Sequence, residues 1–83
     1  MTIVKGMVVR SKAGHDKGRF YVVLAVRDGF AYLIDGRSRT ALSPKKKNPL
    51  HLALTGTVLN EQFLCTESKI CEILAEFSAR LLE

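Results

Sequence analysis

The side chains in this sequence best suited to chemistry are cations, and they fall into two groups. In the first, the stretch SKAGHDKGR from Ser11 to Arg19 carries Lys12, Lys17 and Arg19, with Arg10 just ahead of it and His15 at its tip. In the second, Arg37 and Arg39 lead into Lys45, Lys46 and Lys47, followed by Asn48 and His51. Lys and Arg offer donors and no acceptors, so clusters of them suit anions, and phosphate above all. Gly14 and Gly18 bracket the tip of the first stretch. Glycine takes positive φ without steric cost, so the loop can turn sharply and aim its amides outward as an anion seat. Arg37 and Arg39 add planar forks that can hold a phosphate by two bonds. Asp16 lies among these cations and would repel a phosphate if it pointed outward. It is expected to cap loop amides or to pair with a neighbour.

Other chemistry finds little support. His15 and Asp16 are chain neighbours rather than a positioned pair, and no Ser or Cys stands as a nucleophile. Cys65 and Cys71 are six apart, form no C-x-x-C pair, and have no second Cys/His pair to complete a zinc site. The glycines do not form a P-loop, which needs four residues between them, then Lys and Ser/Thr opening a helix. The expectation is a protein that is not an enzyme, holds no metal or cofactor, and keeps both thiols reduced.

The charge distribution points the same way. The chain has 83 residues and a net charge of +5, divided into +8 over residues 1–51 and −3 over residues 52–83. A basic body suggests a polyanion partner, with the acidic tail facing away from it. No apolar run approaches the roughly 18 residues of a membrane span, and no signal-peptide core opens the chain. A cytoplasmic protein without a membrane partner is expected.

The elements that must position these cations are mainly strands. Met7–Ser11 is β-branched and apolar. Phe20–Val26 alternates Phe20, Val22, Leu24 and Val26 with Tyr21, Val23 and Ala25, so it is apolar on both faces and needs cover on both. Asp28-Gly29 predicts a tight hairpin to a third strand, Phe30–Asp35, which ends in a second turn at Asp35-Gly36. Pro44 and Pro49 restrict Arg37–Asn48 to, at best, a short edge strand over Thr40–Lys46. His51–Leu54 reads as a weak last strand, Gly56–Thr57 as a joint and Val58–Cys65 as a connector. Thr66–Leu82 has helical spacing, with Thr66 as N-cap and Ile70, Ile73, Leu74, Phe77 and Leu81 on one face. That helix is expected to cover the second and third strands, with Glu72, Glu76 and Arg80 in water. Phe20, Tyr21, Phe30 and Tyr32 are assigned to the core rather than to base stacking.

With these elements in place, the chain resembles a family. Gly6-x-x-Val9, Gly14-x-x-Lys17-Gly18 and the apolar run Tyr21–Val26 resemble a KOW motif. Leu33-Ile34-Asp35-Gly36, the basic run and Asn48-x-x-His51-Leu52 are similar to the small KOW proteins of the archaeal and eukaryotic large ribosomal subunit, and closer to short bacterial KOW proteins described as RNA-binding. The resemblance spans residues 3–58 and departs from the family pattern at Pro49. It implies an SH3-like barrel over residues 1–58, closed by a connector and helix over 59–83 within one domain. It also implies RNA contacts at Lys12, Gly14, Lys17 and Gly18 and at Lys45, Lys46, Lys47, Asn48 and His51.

The function expected is non-catalytic binding of structured RNA by a monomer, with ribosomal RNA foremost and the large ribosomal subunit as the candidate partner. Two alternatives stand beside it. One is an adaptor docking a protein through the barrel or tail helix, and the other is a KOW module of a transcription complex.

Overall fold

The computed structural model describes residues 2–64 and 66–81. Five strands form one antiparallel sheet: β1 (Met7–Ser11), β2 (Phe20–Arg27), β3 (Phe30–Ile34), β4 (Lys45–Lys47) and β5 (Leu52–Val58). Their order across the sheet is β4-β3-β2-β1-β5. A short helix α1 (Glu61–Leu64) and a longer one, α2 (Glu67–Leu81), follow. This is the expected small barrel-like sheet capped by a C-terminal helix. No helix among the described residues is long and apolar enough to cross a membrane.

The double-faced strands explain the layering. Met7, Val9, Tyr21, Val23, Ala31, Leu33 and Leu52 pack together inside the curl of the sheet. Val8, Phe20, Val22 and Ile34 face the other way and meet Ile70 and Leu74 of α2. Burying Ile70 and Leu74 contributes roughly 3–6 kcal/mol before chain entropy is subtracted. Phe77 is half-buried, and its ring lies 5.5 Å from that of Phe20. Ile73 is half-buried too, while Glu72, Glu76 and Arg80 are exposed as expected. Arg80 lies over the Phe77 ring, and no ion pair joins it to Glu76 among the described residues. Cys65, Leu82 and the Leu81 side chain lie outside the described portion. Cys71 carries a free thiol.

The turns obey their residues. Asp28 and Gly29 both take positive φ, 50° and 80°, which makes the two-residue hairpin whose twist matches its strands. Gly36 also has positive φ, and a Cβ there would collide with the carbonyl oxygen of Glu67. Only glycine lets this turn lie against the start of α2.

Three expectations are corrected. Gly56 and Thr57 are not a joint, because both continue β5, which pairs along β1 from Leu52 to Val58. The edge strand is Lys45–Lys47 and not Thr40–Lys46, because these are the residues that pair with β3, and the connector holds α1. Thr66 precedes α2 and its carbonyl accepts from Lys69 and Ile70, but its hydroxyl turns back toward the Gln62 carbonyl.

Candidate functional site

The register of the edge strand decides the fate of the lysine run. Lys45 pairs with Leu33 and Lys47 with Ala31, both inner-face residues, whereas Lys46 pairs with Tyr32. Residues opposite each other in an antiparallel pair share a face. Lys45 and Lys47 therefore stand at the rim of the inner core and need an anion there.

Asp16 supplies it. Its carboxylate is 2.8 Å from Lys47 Nζ and 3.4 Å from Lys45 Nζ, and it accepts from Ser11 Oγ at 2.9 Å. Lys47 also donates to the Ala13 carbonyl at 2.8 Å. The Lys47 and Asp16 side chains are only 10% and 7% exposed. Burial alone would push the Asp16 carboxyl up, but the hydrogen bonds from Lys47 and Ser11 and the charges of both lysines hold it well below the usual carboxylate range. Burial, then the neighbouring Asp16 charge, pushes the Tyr21 phenol up. This polar plug closes one end of the inner core and ties the edge strand to the β1–β2 loop, across the intervening strands. Asp16 accepts from a near neighbour, Ser11, but its charge is paired with lysines some 30 residues away in the sequence and not with a neighbour.

The plug changes what the basic loop offers. Lys17, Gly18 and Arg19 donate their amides to Gly14, Ser11 and Asp16 carbonyls. The expected outward-facing anion seat is therefore spent, in these three amides, on holding the loop. Gly14 lies over the Asp16–Lys47 pair, and both it and Gly18 have positive φ. The side chains of Lys12, His15, Lys17 and Arg19 remain exposed or half-exposed at the loop surface, apart from the backbone contacts just described.

The β3–β4 connection is organised by a second aspartate. Asp35 Oδ1 accepts from the backbone amides of Arg37 and Arg39, each at 2.8 Å. The Arg39 carbonyl accepts in turn from the amides of Asp35 and Gly36. This turn consumes backbone groups and leaves the arginine side chains unspent. Arg37 is exposed and Arg39 half-buried.

The two loops meet along one groove. Its upper part, about 280 Å³, is bordered by His15, Arg19, Arg39 and Lys45, with Asp16 and Tyr21 beside them. Its lower part, about 370 Å³, is bordered by Arg19 and Arg37 on one side and by Cys71, Ala75 and Ser78 of α2 on the other. Arg19, Asp35 and Ser38 belong to both parts. The tail helix thus forms one wall of the groove instead of lying opposite the cations. It presents small uncharged side chains there.

The remaining expected contacts are placed elsewhere. Arg10 is half-buried on the α2 side of β1, with its Nε shielded from solvent. Asn48 uses its carboxamide oxygen to accept from the Leu50 amide, capping the turn Pro49–His51. Pro49 opens this turn. The His51 side chain is exposed rather than packed, while its carbonyl accepts from the Lys12 amide at 2.8 Å. Lys46 lies on the outer face, 4.3 Å from the centre of the Phe30 ring, and Arg27 lies over Tyr32. Phe20 and Tyr21 are core residues, whereas Phe30 and Tyr32 are half-buried beneath these cations. The turn at Asp35-Gly36 falls where the sequence places it; what sequence reasoning missed is that the Asp35 side chain holds the Arg37 and Arg39 amides, and its signal is the Asp-Gly step followed by Arg-x-Arg.

Among the described residues, no group of three or more His, Cys, Asp or Glu side chains could hold a metal ion. Compared with family models and with curated proteins, the chain matches none.

Proposed function

We propose that this protein is a non-catalytic RNA-binding module that docks on structured RNA, ribosomal RNA foremost, by gripping phosphates. The observation that carries this reading is that Arg19, from the first loop, borders two adjoining hollows and meets Arg37 in one and Arg39 in the other. Lys12 and Lys17 extend the same loop as further cations at the surface. Guanidinium groups suit phosphate because their paired donors match its oxygens. The KOW-like residues of the loop and strands support the choice of RNA among polyanions.

In this reading Lys45 and Lys47 hold the loop rather than the RNA. The sheet and α2 fix the spacing between the two loops, so the backbone positions of the cations are set before the RNA arrives. A rigid array of this kind recognises shape and backbone, which suits folded RNA whose deep groove hides its bases.

The experiment is co-sedimentation of the purified protein with large ribosomal subunits, together with filter binding to structured RNA, at low and high salt. Association at low salt that is lost at high salt is expected, because phosphate contacts release counterions. A protein that ignores every RNA at low ionic strength contradicts the reading.

A further inference from the structure

The lower part of the groove is built for a guest smaller than a duplex, and its role as a nucleotide site rests on the RNA-binding function already proposed. Arg19 and Arg37 stand at its lip, Phe20 and Leu74 form its floor, and Ala75 and Ser78 of α2 form its far wall. The volume, about 370 Å³, falls near the lower end of the roughly 300–1,000 Å³ typical of small-molecule sites. A stacked base pair with its two backbones does not enter such a space, whereas one base with its sugar does.

The walls sort the parts of a nucleotide. Phe20 and Leu74 keep only 8% and 6% of their surface exposed, so the floor offers a narrow apolar strip against which the edge of an unstacked base can lie. Guanidinium planes stack on bases and fork onto phosphates. The Ser38 and Ser78 hydroxyls both donate and accept, which suits a base edge or a ribose 2′-OH. Asp35 also lines the groove. Its Oδ1 is held by two backbone amides, and its charge keeps a phosphate away from the floor and out at the arginine lip. Cys71, Ala75 and Ser78 are four and three apart, so they share one face of α2, and their small size keeps the groove open.

We infer that this groove takes a single unstacked nucleotide from a bulge or loop of a folded RNA. The base rests against Phe20, Leu74 and Ala75, and the phosphate lies against Arg19 and Arg37. Paired stems reach only the arginines at the groove's lip and the cations of the loop surface. The inner groove therefore confers a preference for RNA with an extruded residue.

Two labelled hairpin RNAs with the same stem test this, one with a single-nucleotide bulge and one fully paired, at the same salt concentration. The native protein is expected to bind the bulged hairpin about tenfold more tightly, the order of gain from docking one base. Ala75 is exposed on α2, so Ala75→Trp fills the groove without touching the core. It is expected to erase the preference by lowering affinity for the bulged hairpin to that for the paired one. Ser78→Phe, on the same wall, repeats the test, and thermal melting identifies which variants are folded. Equal affinity of the native protein for both hairpins overturns the inference while leaving RNA binding intact. So does a preference that survives in a folded, groove-filled variant. Displacement of the bulged hairpin by polyglutamate as effectively as by unlabelled bulged RNA assigns the groove to acidic chains in general, and also overturns it. Failure to bind either hairpin at low salt overturns the underlying RNA reading instead.

Discussion

Two aspartates organise the two basic segments of this protein, and they do so in opposite ways. Asp16 takes side-chain charge: Lys47 and Lys45 are drawn into a nearly buried cluster with Ser11. Asp35 takes backbone amides, those of Arg37 and Arg39, and leaves their side chains free. The first arrangement spends cations to hold a loop, and the second spends peptide groups to present cations. A run of lysines is thus not equivalent to a run of binding groups. What a carboxylate accepts from decides which of its basic neighbours remain available to a partner.

The two arrangements should break differently. Asp16→Asn has the largest expected effect, because it leaves Lys47 at the core rim without a countercharge. A loss of about 3–5 kcal/mol is expected, read as a lower urea midpoint with an unchanged slope. Lys47→Met should cost less, about 1–3 kcal/mol, since Asp16 keeps Lys45 and Ser11. The double variant should be more stable than the sum of the two single losses implies, which a double-mutant cycle measures.

Gly36→Ala comes next. Its positive φ and the collision of a Cβ with the Glu67 carbonyl oxygen predict a loss on the order of 1–3 kcal/mol, along with displacement of α2 from the turn. The near-ultraviolet spectrum of the aromatic pair Phe20–Phe77 and thermal melting both report it.

Acid should loosen the Asp16 side of the molecule selectively. The folded carboxyl lies well below its unfolded value of 3.8. Its contribution is therefore fully present above about pH 4 and is lost as pH falls through the folded value. Stability measured from pH 6 downward should hold and then decline below about pH 4. The decline attributable to this group should be missing in Asp16→Asn.

The smallest effect on the fold belongs to Asp35→Ala, which removes two partly exposed hydrogen bonds at roughly 1–2 kcal/mol in all. Its effect on RNA affinity should be the larger one, because Arg37 and Arg39 lose their common anchor. A titration showing unchanged affinity in a folded Asp35→Ala protein would remove that turn from the site.

Much of the fold is legible in the residues. β1, β2 and β3 are apolar on both faces, and the turns that end β2 and β3 carry Asp-Gly steps, so local chemistry and tertiary packing agree. The face of α2 is readable from its period. The full length of β5 is not, because Gly56, set between Thr55 and Thr57 in LALTGTV, weakens its intrinsic preference; pairing with β1 overrides this. α1 has four residues, too few to show a period. The Asp16–Lys47 pair is hidden for a topological reason. It joins segments that only the curl of the sheet brings together, and Lys45–Lys47 shows its alternating faces only once the strand's register is known. The position of α2 beside the cations is hidden likewise, since net charge says nothing about which face of a helix borders a groove.

The most direct test of the central claim is the salt dependence of RNA binding in the native protein beside a variant with Arg19, Arg37 and Arg39 changed to Ala. With about five phosphates neutralised, the native log–log slope should be roughly −3.5 to −4.5, and the arginine variant should flatten it by about two to three. A native slope near zero, or an arginine variant that keeps the native slope, would contradict the account.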